Sequence, residues 1–117
     1  MERVTGIGGL FFRAGDAERL SRWYADHLGV DGDEVWHQQA GPTVFAPFGE
    51  EHWASPHLGP TGWGVNFRVR DLDAMVDQLR AAGIPVDTDP ESYPNGRFAQ
   101  LTDPEGNAVQ LWEPRAG

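Results

Sequence analysis

The feature that most restricts the fold of this chain is a pattern that occurs twice. Residues 9–20 (GLFFRAGDAERL) align without a gap on residues 64–75 (GVNFRVRDLDAM). Four pairs of residues are identical in this alignment: Gly9 and Gly64, Phe12 and Phe67, Arg13 and Arg68, Asp16 and Asp71. The offset is close to half of the 117 residues, so the sequence predicts two copies of one structural unit rather than two unrelated domains.

Each copy contains a segment with the signals of a capped helix. Asp16 and Asp71 are suitable N-cap residues, because a short carboxylate can accept a hydrogen bond from the first free backbone N–H groups. Gly29 and Gly83 follow the helices, where glycine readily adopts the left-handed conformation that ends a helix. Apolar residues recur at helical spacing in both segments: Ala17, Leu20, Trp23, Tyr24 and Leu28 in the first, Leu72, Met75, Val76 and Leu79 in the second.

The other segments of each copy alternate like strands. In the first copy we expect strands at residues 4–13, 34–39 and 43–48, followed by either a short strand near 52–54 or a loop. In the second copy we expect strands at residues 64–69, near 86, at 97–102 and at 108–113. The sequence therefore predicts an α+β fold of two βαβββ modules, about residues 4–60 and 61–114, within a single domain.

The last predicted strand follows a turn of specific chemistry at residues 103–107, which read DPEGN. Pro104 fixes φ at the first corner, and Gly106 or Asn107 can adopt the positive φ that closes the turn. We therefore expect a reversal between two paired strands here.

Strand parity places a second set of side chains on the face that the helices do not cover. Successive side chains of a strand point to opposite faces of the sheet, so Val109 and Leu111 are expected on the face that the helices cover. The opposite face is expected to carry an unusual mixture of charged, amide and aromatic side chains. That mixture comprises Phe11, Arg13, Asn66, Arg68, Gln110 and Trp112. One interpretation is that Arg13 and Arg68 are ordinary surface residues. Their equivalent positions in the repeat favour a lined pocket between two facing modules, to which Trp36 and Trp53 would add stacking surface.

Composition narrows the classes of partner. The chain has no cysteine, which excludes disulfides and thiolate metal sites. Eighteen acidic and nine basic residues give a formal charge of −9, which disfavours binding to nucleic acid and to anionic membranes. No apolar leader or membrane-length apolar run is present, so we expect a cytoplasmic protein. Five Trp, six Phe and two Tyr exceed what a small core requires, which favours an aromatic cavity.

The paired modules, the Asp-helix-Leu-Gly segment and the closing DPEGN-x-x-x-L-W-E-P motif resemble the vicinal oxygen chelate superfamily of glyoxalases, bleomycin resistance proteins and extradiol dioxygenases. The resemblance implies a cupped mixed sheet with a central cavity, usually in a homodimer. In its metalloenzymes, histidines on the first strands and carboxylates on the last strands hold a divalent ion. The positions that match these ligands are Gly9, Gly64 and Gln110, and only His52 or Glu51 could serve in the first module. We therefore expect no divalent metal cofactor.

These observations favour a small-molecule-binding protein that sequesters an aromatic compound. The predicted ligand-binding residues are Phe11, Arg13, Trp36, Trp53, Asn66, Arg68, Gln110 and Trp112. The arginines favour a ligand that carries a carboxylate or phenolate. One alternative is a glyoxalase-, isomerase- or dioxygenase-like enzyme that uses other metal ligands, or uses His37 or His52 as a base without a metal. Another is a dimeric scaffold whose cavity has no function.

Overall fold

The computed structural model describes residues 1–31 and 35–115 of the chain. The first half contains helix α1 (Ala17–Leu28) and a single 3₁₀ turn, Glu50–His52. The second half contains strand β1 (Gly64–Arg68), helix α2 (Leu72–Ala81), and strands β2 (Asp87–Thr88), β3 (Gly96–Thr102) and β4 (Ala108–Pro114). No helix in these described residues is long and apolar enough to cross a membrane.

Both helices begin and end where the caps predict. The Asp16 carboxylate accepts a hydrogen bond from the Arg19 N–H at 3.1 Å, and the Asp71 carboxylate accepts one from the Ala74 N–H at 3.0 Å. Gly29 follows α1 with a φ of 73°, the left-handed conformation that a C-terminal glycine favours. Helix positions were therefore determined by interactions within a few residues.

The four strands form one open mixed sheet in the order β1-β4-β3-β2. Strand β1 is parallel to β4, and the β3–β4 and β2–β3 pairs are antiparallel. The turn between β3 and β4 is the predicted one: Gly106 has a φ of 85°, and its N–H donates to the Asp103 carbonyl at 3.0 Å. The second copy of the repeat thus forms the complete βαβββ unit that its sequence predicts.

The core lies between the sheet and the two helices. Leu72 and Leu79 of α2 and Val109 and Leu111 of β4 are fully buried. Helix α1 contributes Leu20 and Tyr24 to the same cluster, so the first half of the chain shares one core with the second. The parity prediction is confirmed for β4, because its alternate apolar residues face the helices. Burial of each of these side chains stabilises the fold by roughly 1.5–3 kcal/mol.

The described residues of the first copy form none of the strands predicted there. Residues 4–13 and 43–48 contain no strand, and neither do residues 35–39; position 34, the start of that third prediction, lies outside the described residues. The strand-like alternation of side chains is present in these segments, but a strand also needs a hydrogen-bonded neighbour. These segments pair with no other strand among the described residues. Their side chains are accordingly open to solvent: Val4 is 94% exposed and Phe45 is 84% exposed. Near residue 52 the 3₁₀ turn replaces the strand, so the loop alternative is correct.

Candidate functional site

A cavity of about 960 Å³ lies along the β1 edge of the sheet. All five residues of β1 line it, together with parts of residues 7–14 and 36–44 from the first half of the chain. The cavity forms at this edge because β1 has a strand neighbour only on its β4 side. Rings on both sides supply apolar surface, and Phe12 contacts Trp63 with ring centroids 4.4 Å apart.

Two rows of side chains cross the sheet on the face opposite the helices, because residues paired between strands point to the same side. The first row is Asn66, Gln110 and Gln100. Two of these side chains are hydrogen-bonded to each other: Asn66 Nδ2 donates to Gln110 Oε1 at 2.7 Å. This row offers amide groups, which can both donate and accept hydrogen bonds.

The second row is Arg68, Trp112 and Phe98. The Trp112 and Phe98 rings are parallel within 7°, with centroids 6.2 Å apart. Trp112 Nε1 donates to the Asn95 carbonyl at 2.8 Å, which fixes the indole in a buried position. The two rows place amides, a guanidinium and stacked aromatic rings side by side on one sheet face, as the parity of β1 and β4 predicts.

The Arg68 guanidinium reaches from β1 to the segment of residues 39–43. Its Nη2 donates to the Gln39 carbonyl at 2.8 Å, while Nη1 donates to the Pro42 carbonyl and to Thr43 Oγ1, the latter at 3.3 Å. Gly41 allows this approach, since a Cβ at that position would lie 2.9 Å from the guanidinium carbon. The sequence did not reveal these contacts, because the partners, two backbone carbonyls and one hydroxyl, are 25 or more residues away.

Five of the eight predicted ligand-binding residues line the cavity: Phe11, Trp36, Asn66, Arg68 and Trp112. Gln110 does not line the cavity, but its side chain accepts a hydrogen bond from Asn66, which does. Arg13 is exposed and does not line the cavity, and Trp53 lies elsewhere, with its indole N–H donating to the Phe48 carbonyl at 3.1 Å. Of the two neighbours Trp36 and His37, both line the cavity, although strand alternation would have admitted only one.

The ionisable side chains around the cavity are of the basic types. Arg68, Arg70 and His37 line it, and no Asp or Glu does so among the described residues, although the chain contains eighteen carboxylate side chains. The local charge of the lining is thus opposite in sign to the charge of the whole chain.

A buried polar network joins α1 to the β3–β4 turn beside the cavity. Tyr24, which lines the cavity, donates its hydroxyl to Asp103 Oδ2 at 2.7 Å. The other oxygen of Asp103 accepts from the backbone N–H groups of Glu105 and Asn107, at 2.9 and 3.0 Å. Burial, the hydrogen bond to Asp103 and the charge of that carboxylate raise the pKa of Tyr24 well above its usual value. This phenol therefore stays protonated near neutral pH, donates a hydrogen bond to Asp103 and does not release its proton.

Two positions that match metal ligands in the metalloenzymes of the resembled superfamily, Gly64 and Gln110, carry residues that are poorly suited to bind a divalent ion. Gly64 is closely packed, since a Cβ there would lie 1.7 Å from the His57 carbonyl oxygen, so a histidine could not occupy this position without a backbone shift. Gln110 is a neutral amide whose oxygen already accepts from Asn66. Across residues 1–31 and 35–115, no group of three or more His, Asp or Glu side chains is placed to hold a metal ion.

Comparison with known proteins agrees with this architecture. The family model described as Glyoxalase/Bleomycin resistance protein/Dioxygenase superfamily matches residues 6–111. The chain is 37% identical over 90 residues to the anthracycline biosynthesis protein DnrV of Streptomyces peucetius, a match that covers 73% of this chain and 30% of DnrV. It therefore spans less than a third of the length of that relative.

Solved structures provide a second comparison. The crystal structure of TnmS3, an antibiotic binding protein from Streptomyces sp. CB03234, superimposes with a TM-score of 0.64 at 25% identity, over 98% of this chain and 100% of TnmS3. A superfamily member from Sphaerobacter thermophilus superimposes with a TM-score of 0.60 at 22% identity, over 94% and 98% of the two chains. The family model, the fold and the two copies of the helical segment lead to one conclusion: this chain belongs to the Glyoxalase/Bleomycin resistance protein/Dioxygenase superfamily.

Proposed function

We propose that this protein binds a planar aromatic small molecule in the cavity along β1 and sequesters it without a metal cofactor. The observation that carries the proposal is the arrangement of cavity and lining: about 960 Å³ bounded by aromatic rings, with amide and guanidinium groups along one strand. Cavities of this size accommodate drug-sized ligands, and a few polar groups among apolar walls fix a ligand's orientation. Phe11, Trp36 and Trp112 supply stacking surface, and Asn66 supplies an amide for polar groups.

The relatives support this class of ligand. TnmS3 is described as an antibiotic binding protein, and DnrV as an anthracycline biosynthesis protein. Anthracyclines contain a fused planar ring system, which matches a cavity lined by aromatic side chains. This chain corresponds to only part of DnrV, so binding rather than any biosynthetic step is the activity proposed here.

Tryptophan fluorescence tests the proposal directly. The planar hydroxyanthraquinone quinizarin should quench the emission saturably in the wild-type protein. Trp36→Ala removes a ring from the lining and should weaken binding about tenfold, the effect of one lost aromatic contact of roughly 1.5 kcal/mol. Trp53→Ala is the matched control, since it removes an exposed indole outside the cavity. Absence of saturable quenching, or equal weakening by the two variants, would contradict the proposal.

A catalytic role is the second candidate, and the position of His37 favours it. His37 lines the cavity and is the type of side chain that transfers protons near neutral pH, whereas His52 lies outside the cavity, 3.8 Å from Glu51. A metal-dependent version of this role is testable by melting. A site saturated a hundredfold above its dissociation constant would stabilise the protein by about 2.7 kcal/mol. We expect Ni, Zn, Mn, Co and Fe to cause no such shift and EDTA to remove none; a shift that EDTA reverses would identify a metalloenzyme.

The protein is further proposed to act as a homodimer in the cytoplasm. Residues 1–13 and 35–48 form no strands and expose apolar side chains, among them Val4, Phe11 and Phe45. Strand β1 lies at one edge of the sheet, where unpaired backbone groups can accept a further strand. A second copy could cover these surfaces and narrow the cavity. If the protein is instead a dimeric scaffold without a ligand, the second copy would fill the cavity. No space large enough for a polycyclic compound would then remain.

A further inference from the structure

The sign of the charge around the cavity indicates which aromatic ligands it accepts. Arg68 and Arg70 line the cavity, and no described lining residue is a carboxylate, in a chain with a formal charge of −9. A cationic ligand would be attracted to the protein as a whole but would meet positive side chains inside. An anionic ligand would be repelled by the chain as a whole but would meet the Arg68 and Arg70 side chains at the cavity, where water is partly excluded and charge interactions are stronger.

The partners of Arg68 in the described parts of the chain leave its positive charge uncompensated. Its acceptors within residues 1–31 and 35–115 are neutral oxygens, namely the carbonyls of Gln39 and Pro42 and the hydroxyl of Thr43. No ion pair joins Arg68 to a carboxylate in the described parts of the chain; the arginines that form ion pairs there are Arg22 and Arg97. A guanidinium carries five N–H groups, and the three hydrogen bonds leave at least two of them for another acceptor.

Arg68 also lies at a position where a planar ligand would present its edge. It shares a cross-sheet row with Trp112 and lies two residues from Asn66 on the same face of β1. A ring system stacked along the aromatic side chains would thus bring a peripheral oxygen to the guanidinium, and a second polar group to the Asn66–Gln110 amide pair. Guanidinium recognises carboxylate and phenolate oxygens by charge-assisted hydrogen bonds.

Resting on the binding function proposed above, we infer that the cavity selects planar aromatic acids, and that Arg68 is the residue that specifies the acidic group. The acidic oxygen competes with the Gln39 and Pro42 carbonyls for the guanidinium. A bound acid therefore either adds to the contacts that hold residues 39–43 or replaces some of them. Polycyclic carboxylic acids and acidic phenols are the ligand classes that fit this chemistry.

Three anthracene derivatives of nearly equal size test the inference, because they share one ring system and differ in a single small substituent that is anionic, neutral or cationic. They are anthracene carboxylate, the neutral anthracenemethanol and the cationic anthracenylmethylammonium. In calorimetric or fluorescence titrations at constant pH and ionic strength, we expect the carboxylate to bind at least about tenfold more tightly than the alcohol, the worth of one hydrogen bond to a charged group. We expect the ammonium compound to bind most weakly.

Substitutions then assign the preference to a residue. Arg68→Met should reduce the carboxylate-to-alcohol ratio to about one, and Arg68→Lys should keep part of it, because the charge remains while the planar fork is lost. Arg13→Met is the matched control: Arg13 occupies the equivalent position in the repeat, is exposed and lies outside the cavity, so the ratio should not change.

The outcomes separate this inference from the proposed function. Equal binding of all three probes, or tightest binding of the cation, would leave aromatic binding intact and overturn the selection of acids. Failure of all three to bind would overturn both. A ratio that survives Arg68→Met would overturn the role of Arg68. Should Arg68→Met not fold, the three probes on the wild-type chain and on Arg68→Lys still decide the question.

Discussion

Removing the Tyr24 hydroxyl tests the buried network that joins the two halves of the chain. Tyr24→Phe keeps the ring in the core but removes the donor to Asp103, a carboxylate that is only 4% exposed. Hydrogen bonds to charged groups contribute about 1.5–3 kcal/mol. Asp103 retains donors from Asn107 and from the Glu105 backbone, so we expect the lower end, a loss of about 1.5 kcal/mol in the free energy of unfolding.

The same substitution at the other tyrosine provides the control. Tyr93 donates its hydroxyl to Asp89 at 2.8 Å, but it is only half-buried, so water can replace the lost bond. Tyr93→Phe should therefore cost less than about 0.5 kcal/mol. Urea unfolding measures the free energy of unfolding of both variants, and its dependence on urea concentration should match that of the wild type. Equal losses, or a loss below about 0.5 kcal/mol for Tyr24→Phe, would refute the view that burial gives this hydrogen bond its strength.

The pH dependence of stability offers a second readout for Tyr24. Its pKa in the folded state is raised above the usual value of 10.0, whereas the unfolded chain titrates near that value. Above pH 10 the unfolded state therefore loses the proton first, and the stabilisation is lost as pH rises, by up to about 1.4 kcal/mol per pH unit. The wild type should lose stability above pH 10 more steeply than Tyr24→Phe, and parallel curves would contradict the assignment.

Three further substitutions test other contacts. The Glu105 carboxylate accepts from the backbone N–H groups of Gly15 and Asp16, so Glu105→Gln should lower the free energy of unfolding by about 1 kcal/mol in urea, with exposed Glu91→Gln as an unaffected control. Gly64→Ala should cost at least about 2 kcal/mol because of its close approach to the His57 carbonyl, whereas Gly6→Ala, in open space, should cost less than about 0.5 kcal/mol. Phe45→Asp should sediment as a monomer at concentrations where the wild type is a dimer, and a monomeric wild type would contradict the dimer proposal.

The helices, the β3–β4 turn and the whole second module were predictable from sequence. Asp16, Asp71 and Gly29 act on backbone groups within four residues, so their effects do not depend on the rest of the fold. Gly106 likewise adopts its positive φ within a single turn. The parity of β4 was predictable because Val109 and Leu111 flank the polar Gln110, which placed the two apolar side chains together on the opposite face.

Part of the candidate site was equally accessible from the sequence. Asn66, Arg68 and Trp112 were placed on one face by strand parity alone, and the structure brings them to the cavity edge. The same argument failed for Arg13, because it assumed a strand at residues 4–13 that does not form. Trp53 was chosen for its ring type, and nothing in the local sequence fixed its direction.

The sequence by itself determined where the chain turns, where its helices begin and end, and which strand residues face the core, because these features depend on neighbours a few positions away. The tertiary structure decided which strands form, since backbone pairing needs a partner strand and the sequence around a strand does not specify that partner. It also decided that Arg68 meets the carbonyls of residues 39 and 42 rather than a carboxylate. The charge of the cavity, and with it the proposed choice of ligand, follows from those distant contacts.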